Sequence, residues 1–334
     1  MYKYRHFIAE NIAPSGAKKI GVYNGNGKKV CNIHLGGLTP PTGGKLYSFG
    51  LVSDSHIYPI SSVAWTPEAK FNNALTFFES KGCVLCAHCG DITQSGLYLD
   101  NNDTEMDLRQ FEKYKEICDA HTIPVYGLCG NHESITGHAI SNNLAELKQY
   151  TGTDLYYTIE QGNDLFIFIG QPDYYKVMGD DALLWLSNTL EANRSKRCFV
   201  FIHSYIEEDS GDAVDYRENS VFDTWGTSKT NAFMNLLRQH KNVILFHGHS
   251  HMKLGCQEYD KNANYTERNG FKSVHVPSLA RPRDLNLTAG TTPEDDRGSQ
   301  GYIVDVYDEC IVLNGMDFIR NKSVPLGVYK IDTV

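Results

Sequence analysis

Five short polar blocks, each following closely on an apolar run, constrain this chain more than any other feature. The runs at 46–52, 84–87, 123–128, 198–202 and 243–246 read as strands. They lead into Ser53-Asp54-Ser55-His56, Gly90-Asp91, Gly130-Asn131-His132-Glu133, His203, and Gly248-His249-Ser250-His251. Helical patterns lie between several of the runs. Thr66-Pro67 pairs an N-cap with a first-turn proline and opens a helix ending near Lys81. In 180–193, Leu183, Leu186 and Leu190 share one helical face, and 229–240 reads as a further helix. Alternating β and α predicts a mainly parallel sheet with helices on its faces. In such sheets the carboxyl ends of the strands converge on the ligand crevice. The five blocks therefore aim carboxylates, imidazoles and an amide at one place.

That donor set is what a pair of divalent transition-metal ions needs. Carboxylate and imidazole together suit Mn, Fe, Zn or Co better than Ca or Mg. A carboxylate can bridge two such ions at about 3.5–4 Å. Gly90, Gly130 and Gly248 stand beside the donors, where the backbone must turn tightly and approach closely.

The ordered series D-x-H, G-D, G-N-H-[DE], lone His, G-H-x-H resembles the calcineurin-like metallophosphoesterase family, with every block in family order from Asp54 to His251. The resemblance implies an α/β fold: a four-layer αββα sandwich of two mixed β-sheets flanked by helices. It implies two metal ions, one held by Asp54, His56, Asp91 and His251, the other by Asp91, Asn131, His203 and His249, with Asp91 as the bridge. It implies hydrolysis of a phosphomonoester or phosphodiester by a hydroxide between the ions. His132 binds no metal in that scheme and is the catalytic proton donor to the leaving oxygen. Gln94 stands where some relatives carry an Asp that supports this histidine. Purple acid phosphatases carry a Tyr ligand at that position and lack a His at the position of His56, so Gln94 and His56 set this chain apart from them. The nearer resemblance is to the bacterial branch that includes cyclic-nucleotide phosphodiesterases.

Taken singly, most of these residues have plainer readings. Asp54 and Asp91 are ordinary turn residues after strands, and Asn131 suits a left-handed turn. Their joint order favours ligation. His88 and His247 lie just outside the motifs and read as hydrogen-bonded core histidines, and Glu133 reads as a supporting or solvent-facing group. Cys83, Cys86 and Cys89 form C-x-x-C-x-x-C, a spacing that invites zinc or an iron–sulfur cluster. A regular strand cannot turn residues at i, i+3 and i+6 to one face, so they read as buried thiols.

Composition bounds the alternatives. The 334 residues are 41% hydrophobic and carry a net charge of −9, which argues against a generic nucleic-acid binder and so against a nuclease of the same family. A non-catalytic scaffold on the same fold would have lost ligands, and here the set is complete. The expected partner is a small phosphorylated substrate, since bound cations invert the local field. No apolar run approaches a membrane span, the start lacks a signal-peptide pattern, and nine cysteines are scattered along the chain; a cytoplasmic setting is the expectation.

Residues 1–45 differ from the rest in being rich in Gly, Asn and Lys, with Asn24-Gly25 and Asn26-Gly27 between short apolar runs as a hairpin signal. They read as an appended β-rich segment ending in a linker, and 46–334 as the metallophosphoesterase domain. The runs 155–159 and 165–169 read as a hairpin through Gln161-Gly162-Asn163, and 273–276, 302–307 and 311–318 as added antiparallel strands. The polar stretch 207–226 reads as a lid or substrate-binding loop.

Overall fold

The computed structural model describes residues 20–23, 29–33, 41, 43–58, 65–94, 104–133, 148–171, 179–204, 226–255, 257–258, 261–262, 264–267, 270–283 and 297–333. Ile20–Tyr23 (β1) and Lys29–Ile33 (β2) pair antiparallel as a separate two-stranded sheet, the hairpin that the Asn-Gly pairs predict. The loop predicted at 207–226 lies outside the described residues, apart from Gly226.

Tyr47–Val52 (β3), Cys86–His88 (β4) and Val125–Gly127 (β5) pair in parallel. Tyr156–Gln161 (β6), Asp164–Ile169 (β7), Arg197–Phe201 (β8) and Val243–His247 (β9) follow, with β7, β8 and β9 parallel and β6 an antiparallel edge. Gln257–Glu258 (β10) and Lys261–Asn262 (β11) make a small ladder; Tyr265–Thr266 (β12) and Lys272–His275 (β13) join beside β9. Gln300–Val306 (β14), Cys310–Asp317 (β15) and Lys322–Asp332 (β16) extend the first sheet antiparallel from β3. The result is two mixed six-stranded sheets, ordered β16-β15-β14-β3-β4-β5 and β12-β13-β9-β8-β7-β6.

Four labelled helices complete the described layers: Pro67–Ser80 (α1), Thr104–Asp119 (α2), Asp180–Ala192 (α3) and Gly226–Gln239 (α4). Three cores show how the layers stack. Phe49, Leu51, Phe166, Phe168, Phe199, Phe201 and Phe246 fill the space between the sheets, with Phe201 stacked on Phe168 at 4.6 Å and on Phe246 at 5.1 Å. Leu186 and Leu190 of α3 and Phe233 and Leu237 of α4 cover the outer face of the second sheet. Phe71, Ala74, Leu75 and Phe78 of α1, with Tyr114 and Ile117 of α2, cover the outer face of the first. This is the expected αββα sandwich. Among the described residues no helix is long and apolar enough to cross a membrane.

Local chemistry explains where elements begin. The Thr66 hydroxyl accepts the Ala69 N–H at 3.2 Å and Pro67 takes the first turn of α1, where its missing N–H costs nothing. Besides the two-residue strands β10, β11 and β12, two longer elements escape the sequence pattern. The inward residues of α2 include Gln110 and Tyr114 in place of an aliphatic stripe. β16 is a largely part-exposed edge strand carrying Pro325.

The ends of the sheets away from the five blocks are tied by a buried ion pair. Arg197 of β8 grips Asp164 of β7 at 2.9 and 2.6 Å, and Tyr47 of β3 donates to the same carboxylate at 2.5 Å. Arg197 also donates to the Tyr307 carbonyl at 2.7 Å, beyond β14. The pair is 10% and 5% exposed, so removing one partner strands a buried charge. Arg197→Met is expected to lose about 3–5 kcal/mol, read as a lower urea midpoint.

Candidate metal centre

The five blocks meet where the two sheets face one another. Asp54 and His56 follow β3, Asp91 follows β4, Asn131 and His132 follow β5, His203 follows β8, and His249 and His251 follow β9. The sheets are stitched together there: Asp54 Oδ2 accepts the His249 N–H at 3.1 Å, and His203 Nδ1 donates to the Cys89 carbonyl at 2.8 Å.

The side chains sort into overlapping groups, two of which share the Asp91 carboxylate. Asp54, His56 and His251 form the first: His251 Nε2 lies 3.3 Å from Asp54 Oδ1 and 2.9 Å from His56 Nε2. Asp91, His203 and His249 form the second: His203 Nε2 lies 3.1 Å from Asp91 Oδ2, 3.2 Å from His249 Nδ1 and 3.0 Å from Asn131 Oδ1. Asp91 Oδ2 is also 3.9 Å from His56 Nε2, so it reaches across to the first group. His132 stands beside Asp91, its Nε2 3.9 Å from Oδ2, and with His56 and Asp91 makes a third group of possible donors. Its Nδ1 lies 2.8 Å from the backbone carbonyl of Gln94. A carbonyl only accepts, so Nδ1 carries hydrogen. The support that some relatives draw from an Asp side chain at position 94 comes here from the main chain.

The backbone is bent to make this possible. Asp54, His56, Asp91, His249 and His251 all have left-handed φ, between 44° and 72°, and among the described non-glycine residues only Asn321 shares that conformation. Such conformations cost roughly 1–3 kcal/mol each and persist where the surroundings over-determine them. His249 and His251 are therefore not on a regular extended segment. Each sits in a left-handed turn, and they go to different groups. Three glycines are required by contact: a Cβ on Gly130 would overlap Asp91 Oδ1, one on Gly248 would overlap Ser53 Oγ and lie 2.7 Å from Asp54 Oδ2, and one on Gly90, whose φ is 90°, would lie 2.8 Å from His203 Nδ1.

Electrostatics tests whether these residues suit a cation. Burial alone would push both carboxyls up, but His251 and His203 pull Asp54 well below the carboxylate range, and His203 and His132 do the same for Asp91. Burial would lower His203, yet Asp91 beside it holds it up at about 9. Burial, with His132 and His251 beside it, drives His56 down; burial, with His203 beside it, brings His249 to about 3, so these imidazoles present lone pairs. Asp54 Oδ1 is buried and makes no hydrogen bond among the described residues. Two buried anions, neutral imidazoles and an orphaned carboxylate oxygen fit divalent cations.

The supporting residues were only partly legible. His88 is a core histidine as read: Nδ1 accepts the Gly90 N–H at 3.2 Å and Nε2 contacts Ser55 Oγ at 2.8 Å, which fixes the turn into Asp91. His247 contacts Ser273 Oγ at 3.1 Å. Glu133 is buried, not solvent-facing. Its carboxylate accepts from the Gly130 N–H at 2.7 Å and the Thr93 N–H at 2.8 Å, locking two of the blocks together, and burial beside Asp91 pushes it up to about 7. Ser250 and His275, which contact each other, carry no local sequence signal. Cys83 and Cys86 pack on the outer face of the first sheet and Cys89 between the sheets, so the three do not converge.

A family model described as calcineurin-like phosphoesterase matches residues 47–253. No curated protein sequence matches the chain. A dimetal phosphatase from Danio rerio is similar in structure, with a TM-score of 0.62 and 14% identity over 87% of this chain and 100% of the other. A purple acid phosphatase from yellow lupin (Lupinus luteus) seeds has a TM-score of 0.59 and 15% identity over 94% of this chain and 59% of the other. At these identities the likeness is one of fold.

Proposed function

The chain belongs to the calcineurin-like phosphoesterase family, and from that premise we propose that it hydrolyses a small phosphomonoester or phosphodiester with two divalent transition-metal ions of the Mn, Fe or Zn kind. The observation that carries this reading is Asp91: one carboxylate within reach of both donor groups. Asp54, His56 and His251 would hold one ion and Asn131, His203 and His249 the other, with Asp91 shared. When bound, the ions neutralise phosphoryl oxygens and supply an ionised water as nucleophile.

The chain's own residues do the rest. The Cys89 carbonyl accepts the Nδ1–H hydrogen bond of His203, so that Nε2 is the nitrogen left to give up its proton and meet a cation. The Gln94 carbonyl holds Nδ1–H of His132 in the same way and leaves Nε2 facing the site. As the water oxygen bonds to phosphorus and the ester P–O bond breaks, imidazolium His132 gives its Nε2 proton to the departing oxygen and is left neutral. The surrounding strand ends exclude bulk water: Asp54 and His203 are 0% and 1% exposed.

The test is hydrolysis of p-nitrophenyl phosphate and bis-p-nitrophenyl phosphate by chelated protein, before and after manganese is restored. Hydrolysis that appears only with metal is expected, and the preferred ester narrows the substrate. Folded protein inactive with Mn, Fe, Zn and Co on both esters contradicts the proposal.

A further inference from the structure

A lysine is seldom buried, because an ammonium taken out of water must be given partners. Lys70 of α1 is 3% exposed and lies among the residues the helix buries, with Pro67, Phe71 and Ala74. It is not one of the seven proposed ligands. Its ammonium donates to the backbone carbonyl of Ala280, which stands 210 residues further along the chain.

Ala280 belongs to a short segment, 278–283, that ties the first of the five blocks to the last. Ser278 pairs with Ser53, and Arg283 with Met252, as single parallel bridges. Leu279 N–H and Ala280 N–H donate to the carbonyls of Ser53 and Asp54 at 2.9 and 3.1 Å, and the Ser278 hydroxyl donates to the same Asp54 carbonyl at 3.1 Å. At the other end, Arg283 N–H donates to the His251 carbonyl at 2.9 Å, and the Arg283 carbonyl accepts the Lys253 N–H at 2.9 Å. Asp54 and His251 have φ of 55° and 59°, conformations that persist only where the surroundings over-determine them. Both belong to the same donor group, with His56. None of the bonds just named ends on Asp91, Asn131, His203 or His249.

We propose that Lys70 and Ser278 are positioning residues for the metal ion assigned to Asp54, His56 and His251, acting through the 278–283 segment. The inference rests on the two-metal reading above. The ammonium fixes Ala280 from the helix layer, and Ala280 and Ser278 together fix the Asp54 carbonyl. The Asp54 turn is thereby held with its carboxylate 3.3 Å from His251 Nε2. A charged donor makes a stronger hydrogen bond to a carbonyl than a neutral one. A cation then meets donors already in place, which is what a rigid supporting shell contributes to affinity.

Manganese titrated calorimetrically into the chelated parent, Lys70→Met and Ser278→Ala proteins tests this. Anomalous peaks from crystals grown at limiting manganese assign each affinity to its site, and melts of the metal-free proteins run alongside. Lys70→Met keeps the apolar length of the side chain without the ammonium. The expected result is an ion at Asp54, His56 and His251 bound roughly 10- to 100-fold more weakly, with the ion at Asn131, His203 and His249 changed far less. Ser278→Ala removes one hydroxyl, weakens the same ion, and decides the matter alone if Lys70→Met does not fold. A lower metal-free melt with both ions weakened alike marks a general structural role and overturns the inference. Unchanged affinity at the Asp54 site also overturns it, while two ions on the parent protein leave the two-metal reading standing. Parent protein that binds fewer than two ions at these residues removes both.

Discussion

Asp91→Asn is expected to lower turnover by about 10³-fold or more and to reduce bound metal below two ions per chain, because it removes a carboxylate that lies within 4 Å of a histidine in each donor group. The amide keeps the shape of the side chain, including an oxygen able to accept the His132 N–H that Asp91 Oδ1 accepts at 2.9 Å. The loss is therefore one of charge, not of loop geometry. Stability should move little in the metal-free protein. His203 is held at about 9 mainly by Asp91, and without that partner burial returns it to the neutral form, so no uncompensated ion is left behind. The checks are metal analysis, kcat and a thermal melt of the chelated variant. Wild-type turnover in Asp91→Asn would remove the bridge from the account. A collapsed melt would show the effect to be structural.

The second large effect is expected at His132, and its size should depend on the ester. His132→Ala removes the proton donor and leaves the seven proposed ligands in place, so two metals stay bound. Loss of a general acid costs about 10²–10⁴-fold when the leaving oxygen needs its proton. An alkyl phosphate releases a strongly basic alkoxide and should show the full loss. p-Nitrophenolate departs without a proton and should show a much smaller one. This contrast separates two readings of the geometry, because His132 also lies near enough to His56 and Asp91 to be grouped with them as a donor. A ligand role predicts falling metal content and an equal loss for both esters, and that outcome would refute the proton-donor assignment.

Much of the fold was legible because the central strands are buried throughout and read as unbroken apolar runs: β8 as Cys198-Phe199-Val200-Phe201, all buried, and β9 likewise. α2 was not, since the residues it buries include Gln110 and Tyr114. β16 was not, since an edge strand with one covered face and a proline shows no clean alternation. At the site, the residue types and their place after strands announced themselves, and the structure brings the seven proposed ligands and His132 together. Backbone conformation did not: His249 and His251 sit in left-handed turns. Nor did the long-range supports. Ser278 and Lys70 reach the site through contacts spanning more than 180 residues, which no local pattern encodes.

The central claim is a pair of metal ions sharing Asp91 at the meeting point of five strand ends. Anomalous scattering from crystals of manganese-loaded protein tests it most directly. The account predicts two peaks about 3.5–4 Å apart, one against Asp54, His56 and His251, the other against Asn131, His203 and His249, with Asp91 touching both. A single peak, or peaks away from these residues, would contradict it.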